Sequence, residues 1–269
     1  MAKLEFVGSA WHRSIEDLFD AIPLLAAQRM GTIEVGIGGT SFFDGTDAEE
    51  VEELVCCLKQ AGLRVNSVHA PFGPDVDFSS FDDRVHERGV AAMIEAIEFT
   101  RALGARFTVI HPGDGVVTVN RAKRLDRSAG VIRELGVLAE ASEVVLAVEN
   151  LTPGYLCDEA EELLRLVRGA RSDWVAVCFD TGHANAVGKF EETARLLLPD
   201  TVTLHIHDND GSGDQHLFPG HGSIDWALFA RLFHELCPNA SIMVECAPPE
   251  GWDWPKVLVE LGRMLAPVR

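Results

Sequence analysis

The 269-residue sequence holds no apolar run long enough to cross a bilayer, so no membrane partner is expected. Basic charge is scarce, with 23 Lys and Arg against 42 Asp and Glu and a formal net charge of -19. Affinity for a polyanion comes largely from Lys and Arg at phosphates, which disfavours broad contact with nucleic acid. The charge does not rule that partner out, because bound divalent cations offset negative charge locally. The six cysteines form no CxxC pair and lack the short spacing of a zinc finger. They read as small, buried apolar residues of a reducing compartment. The opening residues lack the basic-then-apolar pattern of a signal peptide, and a cytoplasmic location is the expectation. No low-complexity tract, linker or repeat interrupts a chain that is 47% apolar and can bury a full core.

What is present is a regularity. Six successive short, β-branched runs end in a side chain able to bind metal: Arg64–His69, Phe107–His111, Val144–Glu149, Val175–Asp180, Thr201–His205 and Ser241–Glu245. Two earlier runs, Leu4–Ser9 and Thr32–Gly36, bring the set to eight. A segment of helical periodicity follows each: Ile15–Gln28, Asp47–Ala61, Asp83–Leu103, Asn120–Ser142, Cys157–Gly169, Lys189–Leu198, Trp226–Leu236 and Trp254–Leu265. Gly31, Gly62 and Gly104 stop helices just before strands, where a left-handed residue is needed. Eight βα units in 269 residues predict an α/β fold, a single (β/α)8 barrel spanning Met1–Arg269.

In such a barrel the C-terminal strand ends converge on one rim. His69, His111, Glu149, Asp180, His205 and Glu245 would therefore meet there, because charges at the ends of buried strands are costly unless paired or bound to metal. Beyond the strand ends lie His183, His207 and the pair Asp214 and His216, within a stretch rich in His and Asp. Imidazole and carboxylate without thiolate suit a divalent ion such as Zn, Mn, Fe or Co, and an open rim leaves positions for substrate. Other features carry less. Gly36-Ile-Gly-Gly39 lacks the helix a dinucleotide loop needs, the Asp208–Asp214 stretch has the wrong spacing for an EF-hand, and no nucleophilic triad is visible. Glu34 is either a sugar-binding group or part of a buried network, and Trp11 and Trp252 either stack on a sugar face or pack a helix.

The ordered motifs Ser67-Val-His-Ala-Pro71, Ile110-His-Pro-Gly113, Val148-Glu-Asn150, Phe179-Asp-Thr-Gly-His183, His205-Ile-His-Asp208, Asp214-x-His216, Pro219-Gly-His-Gly-Ser-Ile-Asp225 and Val244-Glu245 resemble the xylose-isomerase-like TIM barrel superfamily. That grouping contains sugar isomerases and epimerases, inosose dehydratases and the endonuclease IV type of AP endonuclease. Its tagatose-type epimerases imply one metal on Glu149, Asp180, His205 and Glu245, with the two glutamates as proton-transfer groups and His183 on a substrate hydroxyl. Its endonuclease IV members imply three zinc ions: His69, His111 and Glu149; Glu149, Asp180, His205 and Glu245; and His183, Asp214 and His216. The resemblance thus implies one to three divalent ions, Zn or Mn foremost, and self-association into homo-oligomers. Phe72 would serve as a wedge in DNA or a wall for a sugar, while Asp75 and Asp77 beside it would repel phosphate. The leading expectation is a metal-dependent sugar, sugar phosphate or polyol isomerase or epimerase, with Glu149 and Glu245 as acid and base. The alternative is a zinc-dependent phosphoesterase.

Overall fold

The computed structural model describes residues 4–39, 41–43 and 47–267. The extreme ends of the expected domain, Met1–Lys3 and Val268–Arg269, lie outside the described residues. The strands are β1 (Phe6–His12), β2 (Thr32–Ile37), β3 (Arg64–His69), β4 (Phe107–Ile110), β5 (Val145–Glu149), β6 (Val175–Asp180), β7 (Thr201–Ile206) and β8 (Ser241–Val244). They pair in parallel, in chain order, into a closed barrel in which β8 returns to β1. The helices are α1 (Ile15–Ala27), α2 (Ala48–Gln60), α3 (Asp83–Ala102), α4 (Arg121–Ala141), α5 (Ala160–Ala170), α6 (Thr181–Val187), α7 (Phe190–Leu197), α8 (Trp226–Leu236) and α9 (Trp254–Met264). Among the described residues no helix is long and apolar enough to cross a membrane.

Three differences from the sequence expectation have local causes. β1 begins and ends later than Leu4–Ser9, because pairing with β2 runs from Gly8–Ile33 to His12–Ile37 and draws Trp11 into the strand. α5 starts at Ala160 rather than Cys157, whose φ of 62° is incompatible with a helix start. α6 was hidden in sequence because its seven residues are too few for an apolar stripe; it forms on the side chain of Asp180, which caps it.

Acidic residues do much of this local work. Asp47, Asp82, Asp180, Asp225 and Asp253 each accept a backbone N–H of the helix that follows. Part of the -19 is therefore helix capping rather than a binding surface.

Strand alternation splits the core into two layers. One set, including Val35, Val68, Val148, Phe179, Leu204 and Ile242, is fully buried in the cluster that includes the helix side chains. The barrel lumen holds a smaller cluster of Val109, Ala147 and Cys178. Beside these residues runs a buried polar chain, in which Asn66 donates to Ser241 (3.0 Å), Ser241 to Thr203 (2.9 Å) and Ser67 to Glu34 (2.6 Å). Small lumen residues leave room above them for the longer side chains at the strand ends.

Candidate metal centre at the strand ends

Glu149, at the end of β5, is the hub of the rim. Its Oε2 lies 3.3 Å from His69 Nε2 and 3.5 Å from His111 Nε2, and its Oε1 lies 3.4 Å from both His205 Nδ1 and His183 Nδ1. Glu149, Asp180, His205 and Glu245 each place one donor atom within 4.8 Å of the others, and so do His69, Glu149 and His205.

Three of the histidines are held as ligands usually are, with one nitrogen tied and the other presented. His69 Nδ1 donates to the Ala70 carbonyl (2.8 Å), His183 Nδ1 to that of Asn150 (2.8 Å) and His216 Nδ1 to that of Glu245 (2.7 Å), which leaves Nε2 of each facing a carboxylate. His205 is reversed: Nε2 meets Glu34 at 3.3 Å and Nδ1 faces the donors. Glu34 thus lies behind a strand-end histidine. His205 Nδ1 and Glu245 Oε2 are buried, 3.1 Å apart, and neither has a hydrogen-bond partner. Buried polar atoms are normally satisfied, and a shared cation would satisfy both. The donor set, imidazole with carboxylates and no thiolate, fits a divalent ion.

The Asp180-Thr-Gly-His183 motif becomes legible residue by residue. Asp180 Oδ1 accepts the His183 N–H (2.6 Å), and its backbone exchanges hydrogen bonds with the Asn150 side chain (2.9 and 3.1 Å). Thr181 Oγ1 donates to the His207 carbonyl at 2.7 Å. Gly182 leaves space for the His207 ring, which a Cβ would overlap. His183 carries its Nε2 to 3.4 Å from Asp214 Oδ2, which also lies 3.2 Å from His216 Nε2. Two further three-residue groups arise here, Asp180 with His183 and His207, and His207 with Asp214 and His216.

The loop that brings in Asp214 and His216 is anchored by Asp208, which is wholly buried. Its carboxylate accepts from Asn209 N (2.9 Å), Gly220 N (2.9 Å), Ile224 N (3.2 Å) and Trp226 Nε1 (2.8 Å). A Cβ on Gly222 would collide with Asp208 and the Asn209 carbonyl, which explains the glycine in Pro219-Gly-His-Gly.

The electrostatics follow from packing. Burial alone would push Glu149 up, but the charge of His205 and hydrogen bonds from His111 and His69 hold it well below the usual carboxylate range. Asp180 is raised by burial, yet the charge of His183 and the hydrogen bond from His207 bring it down to about 2. Burial lowers His183, and the charge of Asp180 with the hydrogen bond to Asp214 overcomes this and lifts it to about 10. The hydrogen bond to Asp214 lifts His216 to about 9 against the pull of burial.

Above the donors opens a cavity of about 300 Å³, at the small end for ligand pockets. Its walls include Trp11, Phe72, Asp114, Leu151, Thr152 and Tyr155. Among the described residues the lining contains neither Lys nor Arg. Trp11 and Phe72 meet edge to face at 5.7 Å, and Phe72 stacks on His111 at 4.5 Å. Trp252 and Glu34 do not line the cavity: Trp252 packs on Phe218 (5.6 Å) beneath Lys256. Asp77 corrects the sequence expectation. It is buried in an ion pair with Arg124, so it opposes no phosphate, whereas Asp75 is exposed. Asp114 and Tyr155 carry no signal in the sequence, and His207, a candidate there by its place two residues after His205, is given its partner, Asp180, only by the structure.

The sequence model of the family described as Xylose isomerase-like TIM barrel matches residues 24–266. The uncharacterized protein MJ1311 of Methanocaldococcus jannaschii is 30% identical over 185 residues, 66% of this chain and 63% of that protein. A probable endonuclease 4 of Geobacillus kaustophilus is 31% identical over 195 residues, 66% of this chain and 64% of its own length. The matches thus span a little under two thirds of these curated relatives. Among solved structures, a D-tagatose 3-epimerase-like protein superposes with a TM-score of 0.82 at 25% identity, covering 97% of both chains.

Proposed function

The chain belongs to the xylose isomerase-like TIM barrel family, and from that premise we propose that it is a divalent-metal-dependent isomerase or epimerase of a small sugar or polyol. The observation that carries this reading is the four-donor group of Glu149, Asp180, His205 and Glu245 beside a cavity of about 300 Å³. Zn or Mn suits the donors, and when bound the ion would polarise a substrate carbonyl. Glu149 and Glu245 both line the cavity and flank His205 Nδ1 at 3.4 and 3.1 Å. They act as the proton-transfer pair, one removing a proton from the carbon beside the carbonyl and the other returning one. Glu34 keeps His205 oriented. Trp11 and Phe72 offer apolar faces to the C–H side of a sugar, and His183 reaches a hydroxyl. A lining that holds no Lys or Arg among the described residues favours a substrate without phosphate, since phosphate recognition draws on those side chains.

The outer group of His183, Asp214 and His216 favours a second reading, because four donors suffice for a single-metal epimerase. On that reading the site holds three ions and cleaves a phosphodiester, as the resemblance to probable endonuclease 4 suggests.

Incubation of the Mn- or Zn-loaded protein with D-tagatose, D-fructose and L-ribulose in D2O, followed by proton NMR, tests the first reading. Deuterium incorporation with epimer formation is expected, and Glu245→Gln lowers it about 100-fold or more, the scale of general acid–base catalysis. Cleavage of abasic duplex DNA, lost on Asp214→Ala, with no exchange in any sugar, would establish the second reading instead.

A further inference from the structure

We propose that His207 is the positioning residue for Asp180, fixing that carboxylate in the attitude from which it binds a divalent ion. The inference rests on the metal reading of the Glu149, Asp180, His205 and Glu245 group. Neither ligand pattern of the family resemblance gives His207 a role.

The imidazole of His207 is wholly buried. Its Nε2 lies 3.1 Å from both Asp180 oxygens, and 3.6 Å from the nearer oxygen of Asp214. Nδ1 is buried without a partner. A proton on Nδ1 would be an unpaired buried donor, which is costly, so the neutral tautomer with its proton on Nε2 satisfies the surroundings and donates to Asp180.

The ring is pinned from several sides. His216 stacks on one face, with centroids 4.0 Å apart and planes 10° from parallel. Gly182 provides the notch for the ring edge that carries Cε1 and both nitrogens. Thr181 fixes the backbone, its Oγ1 donating to the His207 carbonyl (2.7 Å) while the His207 N–H donates to Oγ1 (3.1 Å). This fixation argues for positioning rather than ligation. A single ion cannot lie in the plane of two stacked, parallel rings, so His207 and His216 do not share one in this arrangement. His207 instead spends its N–H on Asp180, as hydrogen-bonded carboxylate ligands require.

The test uses the full chain, stripped by dialysis against a chelator and titrated with Co(II) in competition with a chromophoric chelator. Zinc content per reloaded chain is measured in parallel. Gln at 207 places an amide N–H near the position of Nε2, whereas Asn places one near Nδ1. His207→Asn is expected to weaken one ion 10–100-fold with the number of ions per chain unchanged, and His207→Gln to recover most of that loss. Gly182→Ala, which displaces the same ring, is expected to reproduce the weakening and serves if His207→Asn does not fold. Wild-type affinity in all variants would overturn the inference and leave the metal reading standing. Loss of a whole equivalent in both 207 variants would make His207 a ligand and overturn the positioning role. Equal weakening in Asn and Gln with a lowered thermal midpoint would reduce it to packing. A wild-type chain that binds no Co(II) would overturn the metal reading and this inference together.

Discussion

Asp208 illustrates how a carboxylate among metal-binding neighbours can serve the backbone instead. It sits within the His205-Ile-His-Asp208 motif, yet its oxygens are occupied by three backbone N–H groups and the Trp226 indole. Asp208→Asn would turn an acceptor pair against one or two of those donors, and should cost about 1–3 kcal/mol, the penalty for an unsatisfied buried group. Urea denaturation measures that loss, and an unchanged midpoint would show that the loop holds itself. Sequence alone exposes the strand-end residues because each closes an apolar run. It does not distinguish Asp208 from Asp214 or Asp77 from Asp75, because a carboxylate reads alike whether it meets a metal, an indole, an arginine or water. The partner of Asp77 lies 47 residues away.

At the scale of elements, α4 begins against the usual preference. Its first turn carries Arg121 and Arg124 and no acid, with Asn120 left-handed and making no side-chain cap. Cations at a helix N-terminus oppose the helix dipole. Their tertiary contacts account for the placement. Arg124 binds Asp77, Ser79 Oγ (2.8 Å) and the Asp114 carbonyl (3.2 Å), and Arg121 binds Asp158, Glu162 (2.5 Å) and the Tyr155 carbonyl (2.8 Å). One turn thus ties the loops after β3, β4 and β5 together. Arg124→Met leaves the buried Asp77 unpaired and should cost about 3 kcal/mol in urea denaturation. Adding Asp77→Asn should recover part of that cost, and strictly additive effects would contradict the pairing. The eight-fold alternation is readable because the strands are short continuous apolar, β-branched runs, as buried parallel strands are, and the helices repeat an apolar pattern with a period of about 3.6. α6 is not, because a seven-residue helix created by its cap has no pattern to read.

At the scale of the whole molecule, the rim balances carboxylates against imidazoles, which has a pH signature. In protein stripped of divalent ions, His183 and His216 rise from 6.5 to about 10 and about 9. Between about pH 6.5 and 10 the folded chain therefore holds protons that the unfolded chain has released. The stability these groups contribute is fully present below pH 6.5 and is lost as pH rises through 9 to 10. The thermal midpoint of stripped protein should fall across that window, whereas zinc-loaded protein, with the ion in place of the protons, should show a flatter profile. A flat profile in the stripped protein would contradict the assignment. The cavity walls also differ in what secures them. Arg124 holds the loops of Phe72 and Asp114, Arg121 holds that of Tyr155, and Asp208 holds that of Asp214 and His216. Each fastening is separate from Glu149, Asp180, His205 and Glu245, so a wall segment can be exchanged, by recombination or at the bench, while those four donors keep their places. The barrel is in that sense a chassis, on which substrate preference can drift without the chemistry having to be rebuilt.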